Sequence, residues 1–217
     1  SLELETEFGA FFEVEEESTQ VDPQTTRRTI RAYRLNGSKR SLYQVIEEEV
    51  KSSPDGGIKA VRTTSTADLN GKLNVSRKVL QETVPAGQDV FETRMTVEMP
   101  DPNRRLVPIE RIEQTERLLE DESVSIERVE YSPTSRGKWE TLEKRVATSR
   151  EADGVIQTEE QVFRLDGNRR LALNQESSSQ EWEADDGTLF RTTEERRPNF
   201  DGKMEVVQQR QIEQRAF

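Results

Sequence analysis

From Phe91 to Met99 the chain alternates: Phe91, Thr93, Met95, Val97 and Met99 interleave with Glu92, Arg94, Thr96 and Glu98. A period of two is the pattern of a strand whose two faces meet different surroundings. It returns at Leu73, Val75, Arg77 and Val79, and where Leu171 and Leu173 alternate with Ala172 and Asn174. The strongest instance is terminal. Leu2, Leu4, Phe8, Ala10, Phe12 and Val14 occupy even positions, with Glu3, Glu5, Glu7 and Glu13 at odd ones. This predicts an amphipathic strand over residues 2–14. Ser18 to Thr26, which contains Pro23, reads as a loop, and Arg28–Leu35 reads as the next strand.

Between such stretches lie turn residues, and they recur. The segments beginning at Asp68, Asp101, Thr134, Asp166 and Asn199 each lead through one or two basic residues to a large apolar one. Those apolar residues, Leu73, Leu106, Trp139, Leu171 and Met204, are spaced by 33, 33, 32 and 33 residues. Arg34-Leu-Asn-Gly-Ser-Lys-Arg40 leads to Leu42, which joins the series with a slip of two. A second turn falls midway in each interval, at Pro54–Gly57, Pro85–Asp89, Glu120–Glu122, Ala152–Gly154 and Asp185–Gly187. Each repeat is therefore a β-hairpin with strands of roughly 10–14 residues, or about 35–45 Å.

About six tandem ~33-residue β-hairpin repeats joined by short turns predict an all-β antiparallel meander, because sequential strands pair and parallel crossovers need longer connections. Glu, Arg, Gln, Ser and Thr fill both faces of most strands, as in Gln175–Gln180 and Val207–Ile212. A sandwich needs one continuous apolar face per sheet. The expectation is a largely single-layer, extended sheet, with a closed β-barrel as the alternative. Residues 1–34 form an N-terminal strand and loop, and residues 35–217 the tandem repeat domain.

Composition supports the thin sheet. Leu, Ile, Val and Phe number 49 of 217 residues, about 23%, close to the roughly 20% below which chains stay disordered. With no His and no Cys, the Ser-His-Asp triad, the thiol nucleophile and the thiolate or imidazole metal site are excluded. The formal charge is −11, and the 24 Arg and 8 Lys are interspersed with acids, forming no basic stripe. That argues against nucleic acid, whose affinity comes from neutralised phosphates. No run of 18 apolar residues exists, so no membrane span is expected.

Individual residues add little chemistry. Asp68–Gly71 and Asp166–Asn168 look like the opening of a calcium loop, but Val79 stands where the closing Glu would be needed. Asn-Gly and Asp-Gly are also the preferred hairpin pairs. Glu15–Glu17 and Glu47–Glu49 read as solvated strand faces. Trp139, Trp182, Tyr33, Tyr43 and Tyr131 are candidates for a glycan-stacking patch or for strand filling. No catalytic, cofactor or metal residue is singled out.

The turn-plus-strand unit, clearest at Asp68-Leu-Asn-Gly-Lys-Leu73 and lacking Gly at Asp101-Pro-Asn-Arg-Arg-Leu106, resembles tandem Asp-x-Asn-Gly-(Arg/Lys)-Leu hairpins of uncharacterised exported bacterial proteins. The resemblance implies export and repetition and carries no activity; a start at Ser1 is what a mature exported chain, or a trimmed one, would show. The expectation is a non-enzymatic, extracellular or cell-surface structural protein that self-associates through sheet edges, with the periplasm as the alternative location. Leu2, Leu4, Phe8, Ala10, Phe12 and Val14 would form the assembly strand, pairing between subunits or folding back within one. A monomeric exported module that presents a sheet face to a protein or glycan is the other reading.

Overall fold

The structure, a computed structural model, describes residues 12–36, 39–184 and 187–214. Among these, all regular structure is β. The strands are β1 (Phe12–Asp22), β2 (Thr25–Asn36), β3 (Lys39–Ser52), β4 (Ile58–Ala67), β5 (Leu73–Gly87), β6 (Val90–Pro100) and β7 (Leu106–Leu118). They continue with β8 (Val124–Pro133), β9 (Trp139–Ala152), β10 (Val155–Leu165), β11 (Leu171–Glu183), β12 (Leu189–Pro198) and β13 (Met204–Gln214). Each strand bonds to its sequence neighbours, in the order β1 to β13, and β1 does not join β13. The meander is an open single-layer sheet. The residues that define the repeat, Leu73, Leu106, Trp139, Leu171 and Met204, open β5, β7, β9, β11 and β13. Two compact units divide the chain, Ser1–Glu82 with Met95–Ile109, and Thr83–Arg94 with Glu110–Phe217.

One loop design joins most strands. In Asp68–Lys72 the Asp68 N–H donates to the Lys72 carbonyl at 2.9 Å, and the Gly71 N–H donates to the Asp68 carbonyl at 2.9 Å. The same pair of bonds closes Asp101–Arg105, Thr134–Lys138, Asp166–Arg170 and Asn199–Lys203. The Asp68 carboxylate accepts the N–H groups of Asn70 and Lys72 at 2.9 and 3.0 Å, and Asp166 accepts those of Asn168 and Arg170. The bonds from Lys72 and Asn70 hold the Asp68 carboxyl below its usual range. These oxygens are engaged in turn formation, as the hairpin reading requires.

The fourth residue of each such loop turns left-handed. It is Gly71 (φ 77°) in the first, but Arg104 (63°) and Arg169 (61°) in two others. A side chain in that region costs about 1–2 kcal/mol, while glycine adds roughly 0.4–1 kcal/mol of unfolded-chain entropy. Arg104→Gly and Arg169→Gly should therefore each stabilise by about 0.5–1 kcal/mol. Urea midpoints at constant m-value are the measurement, and lower midpoints in both would contradict the strain.

The N-terminal reading changes in one respect. Ser18–Asp22 belongs to β1 and Thr25–Thr26 to β2, so the expected loop shrinks to Pro23 and Gln24. Side chains explain the longer pairing. Thr26 Oγ1 donates to Gln20 Oε1 at 3.2 Å, Arg28 makes a fork to Glu16 at 2.7 and 2.8 Å, and Gln24 N–H caps onto Asp22. Polar residues that read as loop thus support a ladder once they have cross-strand partners.

A bulge recurs shortly after the loops at one end. Register moves from Ala32↔Gln44 to Tyr33↔Leu42, leaving Tyr43 extra. Leu142, Asn174 and Val207 are left over in the same way. Each bulge bends its strand and adds local twist.

Burial is sparse. Ala32, Val97, Ile112 and Val162 are the buried apolar residues among those described. Ala32, Val97 and Val162 are 65 residues apart, two repeats. With no second layer among the described residues, long polar side chains provide the cover. Val162 is 2% exposed and sits opposite Arg145 on β9 and Gln175 on β11. Glu143, opposite Arg164, accepts Arg145 Nε at 2.5 Å and Arg164 Nε at 2.7 Å. Arg145 also reaches Glu160 at 3.5 Å. Burial works against ionising Glu143, but the two guanidinium groups outweigh it and hold the carboxyl below its ordinary value. The first unit has a similar device, an Arg62–Glu48 ion pair directly across β3 and β4.

Candidate assembly site

A meander leaves its first and last strands half-paired, and the last one described here carries Glu205, Arg210, Glu213 and a bulge at Val207 but no Pro or Lys. β13 pairs with β12 from Pro198↔Met204 to Leu189↔Gln214. Its other side has no neighbouring strand among the described residues. Alternate N–H and C=O groups along that side therefore lack a ladder partner, which makes it a template for another strand. Edges are commonly blunted by Pro, Lys or inward charge. The sequence Met-Glu-Val-Val-Gln-Gln-Arg-Gln-Ile-Glu-Gln of β13 has neither Pro nor Lys. Val206 and Val207 are 50% and 53% exposed. They combine β-propensity with accessibility.

The opposite edge, β1, is charged. Glu13, Glu15, Glu16 and Glu17 fall within it, and four ion pairs tie them inward. Arg28 binds Glu16 at 2.7 Å, Arg31 binds Glu17 at 3.4 Å, and Arg40 binds Glu13 at 3.4 Å and Glu15 at 2.5 Å. Tyr33 donates to Glu15 at 2.9 Å, beneath the Arg40 guanidinium at 3.5 Å from the ring centroid. Arg40 and the Tyr33 hydroxyl hold Glu15 ionised below the normal carboxylate range. Local cations thus carry much of this edge's charge load.

Of the residues expected to connect subunits, Leu2, Leu4, Phe8 and Ala10 lie outside the described residues. Phe12 opens β1, and Val14, 46% exposed, sits opposite Ala32. The end of the expected connector therefore pairs with its own β2. The polar sequence of β13 carries no assembly signal of its own. Its place as the last described strand, without Pro or Lys, is what marks it as a candidate.

A polar groove of about 490 Å³ crosses β10 to β13 beside this edge. It follows the cross-strand row Thr158, Ser179, Thr193 and Arg210. The aromatic residues serve locally instead of gathering there. Trp182 stacks on Phe190 with centroids 5.4 Å apart, and Arg111 lies over Tyr131. Among the described residues no carboxylate cluster is arranged to hold a metal, and no helix is long and apolar enough to cross a membrane. Comparison with protein-family models, curated proteins and solved structures finds no match.

Proposed function

We propose that this is a non-enzymatic structural protein of the cell exterior, which associates by continuing its sheet from one copy to the next. The observation that carries this reading is the edge of β13, eleven residues long, without Pro or Lys and with no outer neighbour among the described residues. Main-chain hydrogen bonds would supply affinity, and β1 of a second copy, with no outer neighbour among the described residues, offers the matching edge. Such head-to-tail pairing is heterologous and gives a filament when it does not close.

The test is Gln209→Lys with Gln211→Lys, which places two charges on the edge. Sedimentation velocity of the wild type should show concentration-dependent oligomers that persist at high salt, and the variant should remain monomeric. A wild type that stays monomeric, or a variant that assembles equally, would refute edge addition. The groove favours a second reading, a monomeric module that presents its sheet to a glycan or protein. Dispersed monomers that bind a glycan array, with binding lost in Thr193→Trp, would support that alternative.

A further inference from the structure

Alternate loops of a meander fall at opposite ends of its strands, so residues scattered in sequence collect in two rows. Within the unit Thr83–Arg94 with Glu110–Phe217, loops 134–138, 166–170 and 199–203 share one end. They carry Arg136, Lys138, Arg169, Arg170 and Lys203, all exposed. Arg169 pairs with Glu140; the other four form no ion pair with a described residue. Of the two acids there, Asp166 turns its carboxylate onto its own loop. Loops 88–89, 119–123 and 153–154 share the other end. These contain Asp89, the run Glu120–Glu122 and Asp153, with no Lys or Arg. Topology thus brings to one end basic residues that sequence order separates.

We infer that the basic loop end is a docking surface for the acidic loop end of a second copy. Two strands separate successive loops at either end, so both rows repeat at about 9.5 Å. Opposite charges at a common pitch bring the next pair into position once one is matched. A linear polyanion would use the basic row alone and leave the acidic row without a counterpart, so a second copy fits both observations. The contact lies along the strands, across the direction of edge addition, and the two together would extend a ribbon into a layer. Exposed pairs are weak singly and screened by salt, with a Debye length of about 10 Å at 0.1 M and about 3 Å at 1 M. Edge addition rests on main-chain bonds and lacks this sensitivity.

The experiment uses the full chain at about 20 mM and about 1 M sodium chloride, with association read by sedimentation velocity. The dissociation constant of the end contact should rise at least roughly tenfold in high salt. R136E/K138E/R170E should weaken the low-salt contact by a similar factor, with unchanged far-UV circular dichroism and melting. E120K/E122K, at the opposite end, must produce the same loss, which keeps the test independent of how one variant folds. Association insensitive to salt or to either variant overturns the inference. Low-salt wild type that remains monomeric but captures dextran sulfate through Arg136, Lys138 and Arg170 would assign the row to a polyanion instead. Oligomers that survive only at high salt would leave edge addition standing and remove the end contact.

Discussion

Deleting residues 101–133 should leave a folded, β-rich chain that melts cooperatively, whereas deleting residues 106–123 should abolish cooperative melting. The first deletion removes one loop, β7, the next loop and β8, so β6 leads through Thr134–Lys138 into β9. That loop closes with the same two backbone bonds as the Asp101–Arg105 loop it replaces. β9 then runs in the direction of β7, and every later loop keeps its end of the sheet. In an array of neighbour contacts, stability is approximately a sum over repeats and interfaces, so losing one unit removes only its own share. The shorter deletion removes a single strand. β8 would then follow β6 directly, and all later strands would reverse direction against the first six. The bulges that follow one set of loops would emerge at the wrong end, and β8 would remain without the β7 partner it pairs with from Arg111↔Tyr131 to Leu118↔Val124. Far-UV circular dichroism and urea melts of both chains decide the matter. Equal tolerance of the two deletions would argue against hairpins as the modular unit.

The parts of this fold legible in the sequence are those governed by local chemistry. Turn residues recur because each loop needs an acceptor at its first position, as Asp68 and Asp166 provide, and their spacing located the starts of five strands. Leu42 is two residues out of step because the repeat position falls on Arg40, three residues before the extra residue Tyr43, as Trp139, Leu171 and Met204 fall three before Leu142, Asn174 and Val207. Properties that depend on which strands meet were hidden. Ser18–Thr26 reads as loop until Glu16 and Gln20 find partners on β2. Glycine should mark the left-handed position, yet Arg104 and Arg169 occupy it, and Gly167 in the latter loop does not. The polar sequence of β13 takes on meaning from its place at the edge. The two charged rows exist only because alternate loops share an end.

Val162 and the ion network around it should be energetically coupled, which is the sharpest test of how a single layer acquires a core. Val162→Ala should cost about 2 kcal/mol through lost burial and the void left behind. Glu143→Ala should cost about 1–2 kcal/mol, below the range for fully buried charged hydrogen bonds, because Arg145 and Arg164 are half-exposed and can turn to water. If the guanidinium stems shield Val162 only while Glu143 clamps them, removing Glu143 also wets the valine. The double variant should then cost less than the two singles together, with a coupling of roughly 0.5–1 kcal/mol. Arg164→Lys is the informative companion. It keeps the charge but loses the planar fork, so it should reproduce part of the Glu143→Ala loss. Urea denaturation of the four chains in the cycle gives the coupling directly. Strict additivity would mean that Val162 is shielded by the sheet alone and that the ion pairs above it are decoration; positive coupling would make the charged residues part of the core, and would explain how a chain with so few buried apolar side chains holds one structure.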